Sequence, residues 1–279
     1  MYNKVLLILA FGAAAACTEA LRALEEKEPL ADSAFIVYGD TLTGPADVFI
    51  YDAEGLQGLE AHLRLEPGQT EGSVQLSAGA KIAAVICNSP YEFNDEALGK
   101  YSSLGQIVFN FPDDDTLAPA ASGTAYFRAG EDFMIRADRL MGEVVLDEVS
   151  NGLDPGDYPL LENPRVWLCN LNASAEIMRT SDFRPVEMIS KSSAVELPCD
   201  VGFFPQRPGI TLHCYPVNTE LGIVGTPQCS IVFECTVRGE LREYRSALPS
   251  IPRGGTVHVS VRITEEGAEY SYSVRPVRR

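Results

Sequence analysis

The feature that most constrains this chain is a period of two that recurs in short runs from Asp32 onward. Along Thr256–Ile263, Val257, Val259, Val261 and Ile263 fall on one side, and His258, Ser260 and Arg262 on the other. A strand turns successive side chains to opposite faces, so this spacing fits a half-buried strand and not a helix. In Ile210–Tyr215, Ile210, Leu212 and Cys214 share a face opposite Thr211, His213 and Tyr215. In Ser230–Thr236, Ile231, Phe233 and Cys235 align in the same way, and Glu265–Gly267 turn the chain into a last strand, Glu269–Arg275. Asp47–Asp52 (DVFIYD) and Arg165–Asn170 (RVWLCN) read as further strands. Ala80–Cys87 (AKIAAVIC) is apolar on both faces, as a central strand covered from both sides would be. Asn94 is placed to cap a short helix over Asn94–Tyr101. Gly, Pro, Asn and Asp separate the runs and no strand–helix–strand alternation is visible. The prediction is an all-β chain built as antiparallel β-sandwiches.

At 279 residues the chain is long enough for two domains. The break is expected at Ala129–Met134, giving an N-terminal sandwich over residues 32–130 and a C-terminal one over 131–279. There are 22 basic and 39 acidic residues, a net charge of −17. Such a chain repels phosphate backbones, which excludes nucleic acid as a partner. The one long apolar run, Tyr2–Ala16, is too short for a spanning helix, which reads against a polytopic membrane protein. Lys4, then apolar Val5–Gly12, then small Ala13–Ala16 follow the order of an export signal, so residues 1–16 are set aside from the fold. Residues 17–31 are rich in charge and read as a flexible tether.

No catalytic constellation is legible. His213 and His258 take the outward parity of their strands, His62 sits in a mixed polar stretch, and no GxSxG, HExxH or GxxxxGK[ST] pattern occurs. The chain is read as a non-enzyme without cofactor or metal. Asp113–Asp115 has the oxygen ligands Ca²⁺ would want, but after Pro112 it reads as a solvated loop. Beyond Cys17 six cysteines remain, an even number in an exported chain. Cys214 and Cys235, both inward on their strands, are the candidate disulfide; the alternative is that both are small core hydrophobes.

Cys17 directly after small residues resembles the lipobox of bacterial lipoproteins, with Ala14 where Leu is usual. The resemblance implies acylation of Cys17 and attachment to lipid; the alternative is ordinary signal cleavage near Ala16. Taken with DVFIYDAEG at 47–55, GAKIAAVICNSP at 79–90, RADRLMGEVVLDEV at 136–149, LPCDVGFFPQRPGITLHCYPVN at 197–218 and SIVFECTVRGELREYRSALPSI at 230–251, it makes the chain resemble the fimbrillin superfamily, the type V pilins of Gram-negative anaerobes. The resemblance implies two transthyretin-like sandwich domains, export to the outer membrane, and partnership with other fimbrial subunits by β-strand addition. In polymerising members a cut after an arginine near the N-terminus removes a strand and opens a groove for a neighbour's strand. Here Arg22 is the one arginine between Cys17 and Arg64, and it lies ahead of Ala34–Tyr38 (AFIVY), so a cut at Arg22 leaves that strand in place. Only Thr264–Arg279 follows the strand ending at Ile263, enough for one hairpin return. Both points favour a minor, anchor or accessory subunit over a shaft subunit. Asp32-Ser33-Ala34, Asp40-Thr41-Leu42 and Asp115-Thr116-Leu117 resemble the O-glycosylation triplets of the same bacteria. The competing expectation is a non-polymerising surface lipoprotein that binds glycan or protein through loop aromatics, Tyr91 and Phe93 or Phe203 and Phe204.

Overall fold

The computed structural model describes residues 30–39, 42–111, 114–180, 188–218 and 228–275. The first half contains β1 (Ala31–Tyr38), β2 (Ala46–Asp52), β3 (Leu59–Leu65), β4 (Glu71–Leu76), β5 (Ala80–Cys87), helix α1 (Tyr101–Leu104), β6 (Val108–Asn110), β7 (Ala121–Arg128), β8 (Phe133–Arg136) and β9 (Asp138–Arg139). The second contains β10 (Gly142–Gly152), β11 (Leu161–Asn172), β12 (Ser174–Glu176), β13 (Met188–Lys191), β14 (Val195–Glu196), β15 (Ile210–Cys214), β16 (Ser230–Val237), β17 (Glu240–Ala247), β18 (Thr256–Thr264) and β19 (Gly267–Arg275). The protein is all-β, as its period predicts. Among the described residues no helix is long and apolar enough to cross a membrane.

In the first half, a sheet ordered β4-β1-β8 faces a sheet ordered β3-β2-β5-β7-β9. Phe35, Val37, Val48, Ile50, Val85, Phe133 and Ile135 fill the space between them. The doubly covered strand read at Ala80–Cys87 is β5, bonded to β2 and β7. Ala83, Val85 and Cys87 enter that core, while Ala84 and Ile86 join Phe49, Tyr51, Phe109, Leu140, Met141 and Tyr215 on the other face. In the second half, β15-β10-β18-β19 faces β13-β11-β16-β17, with β14 added to β11. Val144, Leu146, Leu168, Leu212, Phe233, Val257, Val259, Val261 and Ile263 pack between them. The alternating run at Thr256–Ile263 therefore points its apolar face inward as predicted. The β16–β17 hairpin closes on Arg238 and Gly239, both at positive φ, the two-residue turn whose twist matches the strands.

Three features differ from the sequence reading. The pairs β1–β8 and β10–β18 are parallel, set into otherwise antiparallel sheets. A period of two is the same for either direction, so alternation carries no information on this point. Residues 133–139, grouped by sequence with the C-terminal sandwich, supply β8 and β9, which bond to β1 and β7; the first strand of the second pair of sheets starts at Gly142. Asn94 does cap, its side chain accepting the Glu96 N–H at 2.8 Å, but it caps a turn, and the helix is the single turn Tyr101–Leu104.

Gly123 marks how closely β7 approaches β8. A Cβ there would lie 1.7 Å from the Arg136 carbonyl oxygen, which is backbone and has no room to yield. Gly58 meets nothing within 4 Å. Gly123→Ala is expected to lower stability in urea denaturation by about 1–3 kcal/mol, the cost of overpacking, with Gly58→Ala close to neutral. Equal midpoints for the two variants would contradict this packing.

Candidate functional site

The two halves meet at a joint built from buried polar groups. Arg253 sits in the turn before β18, closed by the Gly255 N–H donating to the Pro252 carbonyl at 3.0 Å. Its guanidinium is buried. Nη1 donates to the carbonyls of Ile177 at 2.6 Å and Arg179 at 3.2 Å. Nη2 donates to the Ser122 carbonyl, the Ser122 hydroxyl at 2.7 Å and the Asp138 carbonyl at 2.7 Å, and Nε donates to Asp138 again. Ser122 in turn donates to Ile177 at 2.7 Å. One side chain from the second half thus ties down β7 and β9 of the first. Burial lowers its pKa to about 10, and nearby Asp138 opposes that shift. Arg is suited here because its planar fork carries five donors, enough to satisfy several orphan carbonyls at once.

The joint has two further ties, β6–β12 and Tyr215–Asp114, and a hydrogen bond within the second half supports the latter. β6 of the first half pairs with β12 of the second, Ala175 opposite Phe109. The Asn172 side chain donates to the Pro216 carbonyl at 2.7 Å, beside Tyr215. Tyr215 donates through its hydroxyl to Asp114 at 3.2 Å, and Asp114 also accepts the Ala120 N–H at 2.9 Å. Asp114 is therefore buried, unlike the solvated acid expected of it, and burial raises its pKa above the usual carboxylate range.

The strand β1 is the second feature. It lies in the middle of its sheet, antiparallel to β4 and parallel to β8, and buries Phe35 and Val37. Phe35 and Phe133 stack across the β1–β8 pair with centroids 5.5 Å apart. Cys17 and Arg22 lie outside the described residues, as do Asp40, Thr41 and Asp113. Ser33, read within an O-glycosylation triplet, is buried and its hydroxyl accepts the Gly130 N–H at 3.0 Å. Asp115-Thr116-Leu117 is exposed.

The structure places Cys214 and Cys235 on β15 and β16, in opposite sheets, and all six described cysteines are free thiols. Inward parity says which face a side chain takes, not which sheet it belongs to. Burial pushes the thiols of Cys87, Cys229 and Cys235 up to about 12, and lifts that of Cys214 well above its ordinary value. Only Cys199 is exposed among the six. The histidines are each accounted for. His62 lies between Asp95 at 2.5 Å and Asp47 at 2.9 Å and stacks on Phe49, and His258 meets Asp147 at 2.9 Å. His213 is partly buried, which lowers its pKa. Among the described residues no group of His, Cys, Asp and Glu is arranged to hold a metal. Of the loop aromatics, Tyr91 and Phe93 pack against Phe109 and Phe49, whereas Phe203 and Phe204 stand in solvent.

No protein-family profile and no curated protein sequence matches the chain. Solved structures match it nearly end to end. A candidate cell adhesion protein from Parabacteroides distasonis superposes with a TM-score of 0.67 at 10% identity, over 89% of this chain and 98% of that one. A fimbrilin (fimA) from Porphyromonas gingivalis gives 0.65 at 10% identity, over 89% and 98%. The tip fimbrial protein Mfa3 from Porphyromonas gingivalis gives 0.59 at 12% identity, over 88% and 99%. The chain therefore has the two-sandwich fold of these fimbrial and adhesion proteins.

Two measurements check this site. Arg253→Met removes the guanidinium donors from buried carbonyls of both halves, and is expected to cost on the order of 3 kcal/mol in urea denaturation; Arg253→Lys recovers only part, because one ammonium cannot reach acceptors spread around a planar fork. A neutral Arg253→Met would remove the clasp from the account. Alkylation of the native protein, mapped by mass spectrometry, is expected to label Cys199 and, among the described cysteines, the other five only after unfolding without reductant. Cys214 and Cys235 remaining unlabelled until reductant is added would show them bridged.

Proposed function

We propose that this chain is a lipid-anchored cell-surface protein of the fimbrial type, a minor subunit that anchors or accompanies the fimbria and has a structural rather than an enzymatic role. The observation that carries the reading is the fold, which matches fimbrial proteins over nearly the whole of both chains. β1 supports the finer assignment. It is a middle strand, so its loss would leave a groove between β4 and β8 lined by Phe133 and Ile135. The sequence offers no arginine between β1 and β2 at which to release it. A cut at Arg22 would shed Cys17 and its acyl chains yet keep β1; a cut at Arg64 would fall inside β3. A subunit that retains β1 keeps its own groove filled. Its contacts with other subunits would then run through exposed sheet edges, where unpaired N–H and C=O groups accept a further strand. Acylated Cys17 would hold it to the outer membrane, since several buried acyl methylenes at roughly 0.8 kcal/mol each make a durable anchor.

A second reading, a surface lipoprotein that binds ligands without joining a fimbria, draws on Phe203 and Phe204, whose exposure is unusual for such residues. Immunogold electron microscopy of the native cells, with and without the gene, separates the two. Label at the attachment point of surface filaments, and filaments shed into the medium when the gene is deleted, is the expected result. Even labelling of the envelope with filaments unchanged would overturn the fimbrial assignment.

A further inference from the structure

The end of the second sandwich away from the joint is closed by an arch. Val201 and Leu161 exchange both backbone hydrogen bonds, at 3.0 and 3.1 Å, and Gln206 and Val149 exchange both at 2.9 Å. Leu161 belongs to β11 and Val149 to β10, so the arch runs from one sheet to the other across the mouth of the core. Val201 and Leu153 are buried beneath it. Between the two ties stand Gly202, Phe203, Phe204 and Pro205. Phe203 is 80% exposed and Phe204 75%, with their rings edge to face at 5.3 Å. A neighbouring loop brings up Tyr158, 85% exposed, and Leu160, 43% exposed. Tyr158 is held at φ 47, a left-handed conformation that a tyrosine seldom adopts, by its N–H donating to Pro155 at 3.1 Å. A cleft of about 130 Å³ opens between Pro155, Tyr158, Pro159, Leu160 and Phe203.

A water-facing cluster of four large apolar side chains on a doubly tied backbone is the composition of an interaction site, where rigid aromatic anchors carry most of the binding energy. The chemistry of its partner can be read from what surrounds it. No lining residue of the cleft carries a formal charge, in a chain of net charge −17. The lining Asn151 is already committed, donating to Pro159 at 2.8 Å and accepting the Leu153 N–H at 3.0 Å. A sugar, which needs many hydrogen bonds, would find little beyond the Tyr158 hydroxyl. The unpaired charges framing the cleft and the arch are mostly acidic, although Arg262 lies beside Gly152 and Arg238 pairs with Glu265. Asp154, Glu162 and Asp200 are exposed, and Arg207 is paired with Glu148 at 3.0 Å. Two copies meeting here would bring these carboxylates together, so like charge opposes self-association.

We infer that the Phe203–Phe204 arch and the Tyr158 cleft form a docking surface for another polypeptide, which inserts an apolar side chain flanked by lysine or arginine. The surface lies far from where the chain enters the fold. β1 begins at Ala31 beside Gly130, while its other end, at Tyr38, accepts the Ala137 N–H next to the joint; β10 leaves the joint at Gly142 and reaches the arch end at Gly152. A chain held by its N-terminus therefore offers this surface at the opposite end. The inference goes beyond the fimbrial reading and does not require it, since any basic–apolar partner segment would serve.

The test uses NMR titration of the full mature chain with a short synthetic peptide carrying one Phe between lysines. Its controls are the peptide with Ala for Phe and the peptide with Glu for Lys. The Lys–Phe peptide is expected to shift the amide signals of residues 153–161 and 200–206, and both control peptides to bind weaker by about tenfold or more. Phe203→Ser with Phe204→Ser is expected to lower affinity by a similar factor with an unchanged urea midpoint, because both rings are exposed. Tyr126→Ser, at an exposed aromatic elsewhere, is expected to leave binding intact. Binding indifferent to the Phe or to the double variant would overturn the inference. So would no binding by any of the peptides, binding of an oligosaccharide or of phosphatidylcholine vesicles at the arch, or dimerisation of the protein through it.

Discussion

The two sandwiches are joined around a single buried guanidinium. Arg253 satisfies carbonyls at Ser122, Asp138, Ile177 and Arg179, which belong to segments far apart in sequence. A buried carbonyl left without a donor costs about 1–3 kcal/mol, and Arg253 supplies donors to four, of which Ile177 also accepts from Ser122. The charge itself is expensive to bury, as its lowered pKa records. The arrangement holds because the donors outnumber the penalty and because the apolar cluster around Phe109, Leu140, Met141 and Tyr215 excludes water beside it. The proposed structural role needs the two sandwiches fixed to each other. This joint, with the β6–β12 ribbon and the Asp114–Tyr215 hydrogen bond, fixes them.

The sandwiches themselves rest on a simpler rule. Each needs two sheets whose facing side chains interdigitate, and each is organised around strands buried at the centre, β5 in the first and β16 in the second. Parallel pairing of β1 with β8 and of β10 with β18 sets strands from distant parts of the chain side by side. β1 is thereby enclosed by neighbours on both sides. Its place in the sheet is what makes its retention or loss decisive for the proposed assembly.

Much of this was legible in the sequence wherever burial follows period two. Val257, Val259, Val261 and Ile263 could hardly be read otherwise, and the continuous apolar run at Ala80–Cys87 signalled cover on both faces. What stayed illegible has a common cause: it depends on partners that pattern does not name. Parity put Cys214 and Cys235 inward but could not say that they belong to opposite sheets. The acidic run at 113–115 looked solvated because nothing local shows that Tyr215, from the other half, meets Asp114. Arg253, in a Pro-Arg-Gly-Gly turn, gave no sign of burial at all. Its surroundings offered one clue, the close apolar flank of Ile251 and Val257. Of the four loop aromatics singled out, Tyr91 and Phe93 went to the core and Phe203 and Phe204 to solvent, a difference set by what the folded chain places beside them.

The central functional proposal is that the chain stays attached by its N-terminus with β1 still in place. Mass spectrometry of the intact protein, taken from its own cell envelope, tests it most directly. The account predicts one continuous chain whose first residue is an acylated Cys17, with Ala31–Tyr38 uncut. An unlipidated chain beginning at Ala23, or one beginning beyond Tyr38 with β1 removed, would contradict it and point instead to a processed, polymerising subunit.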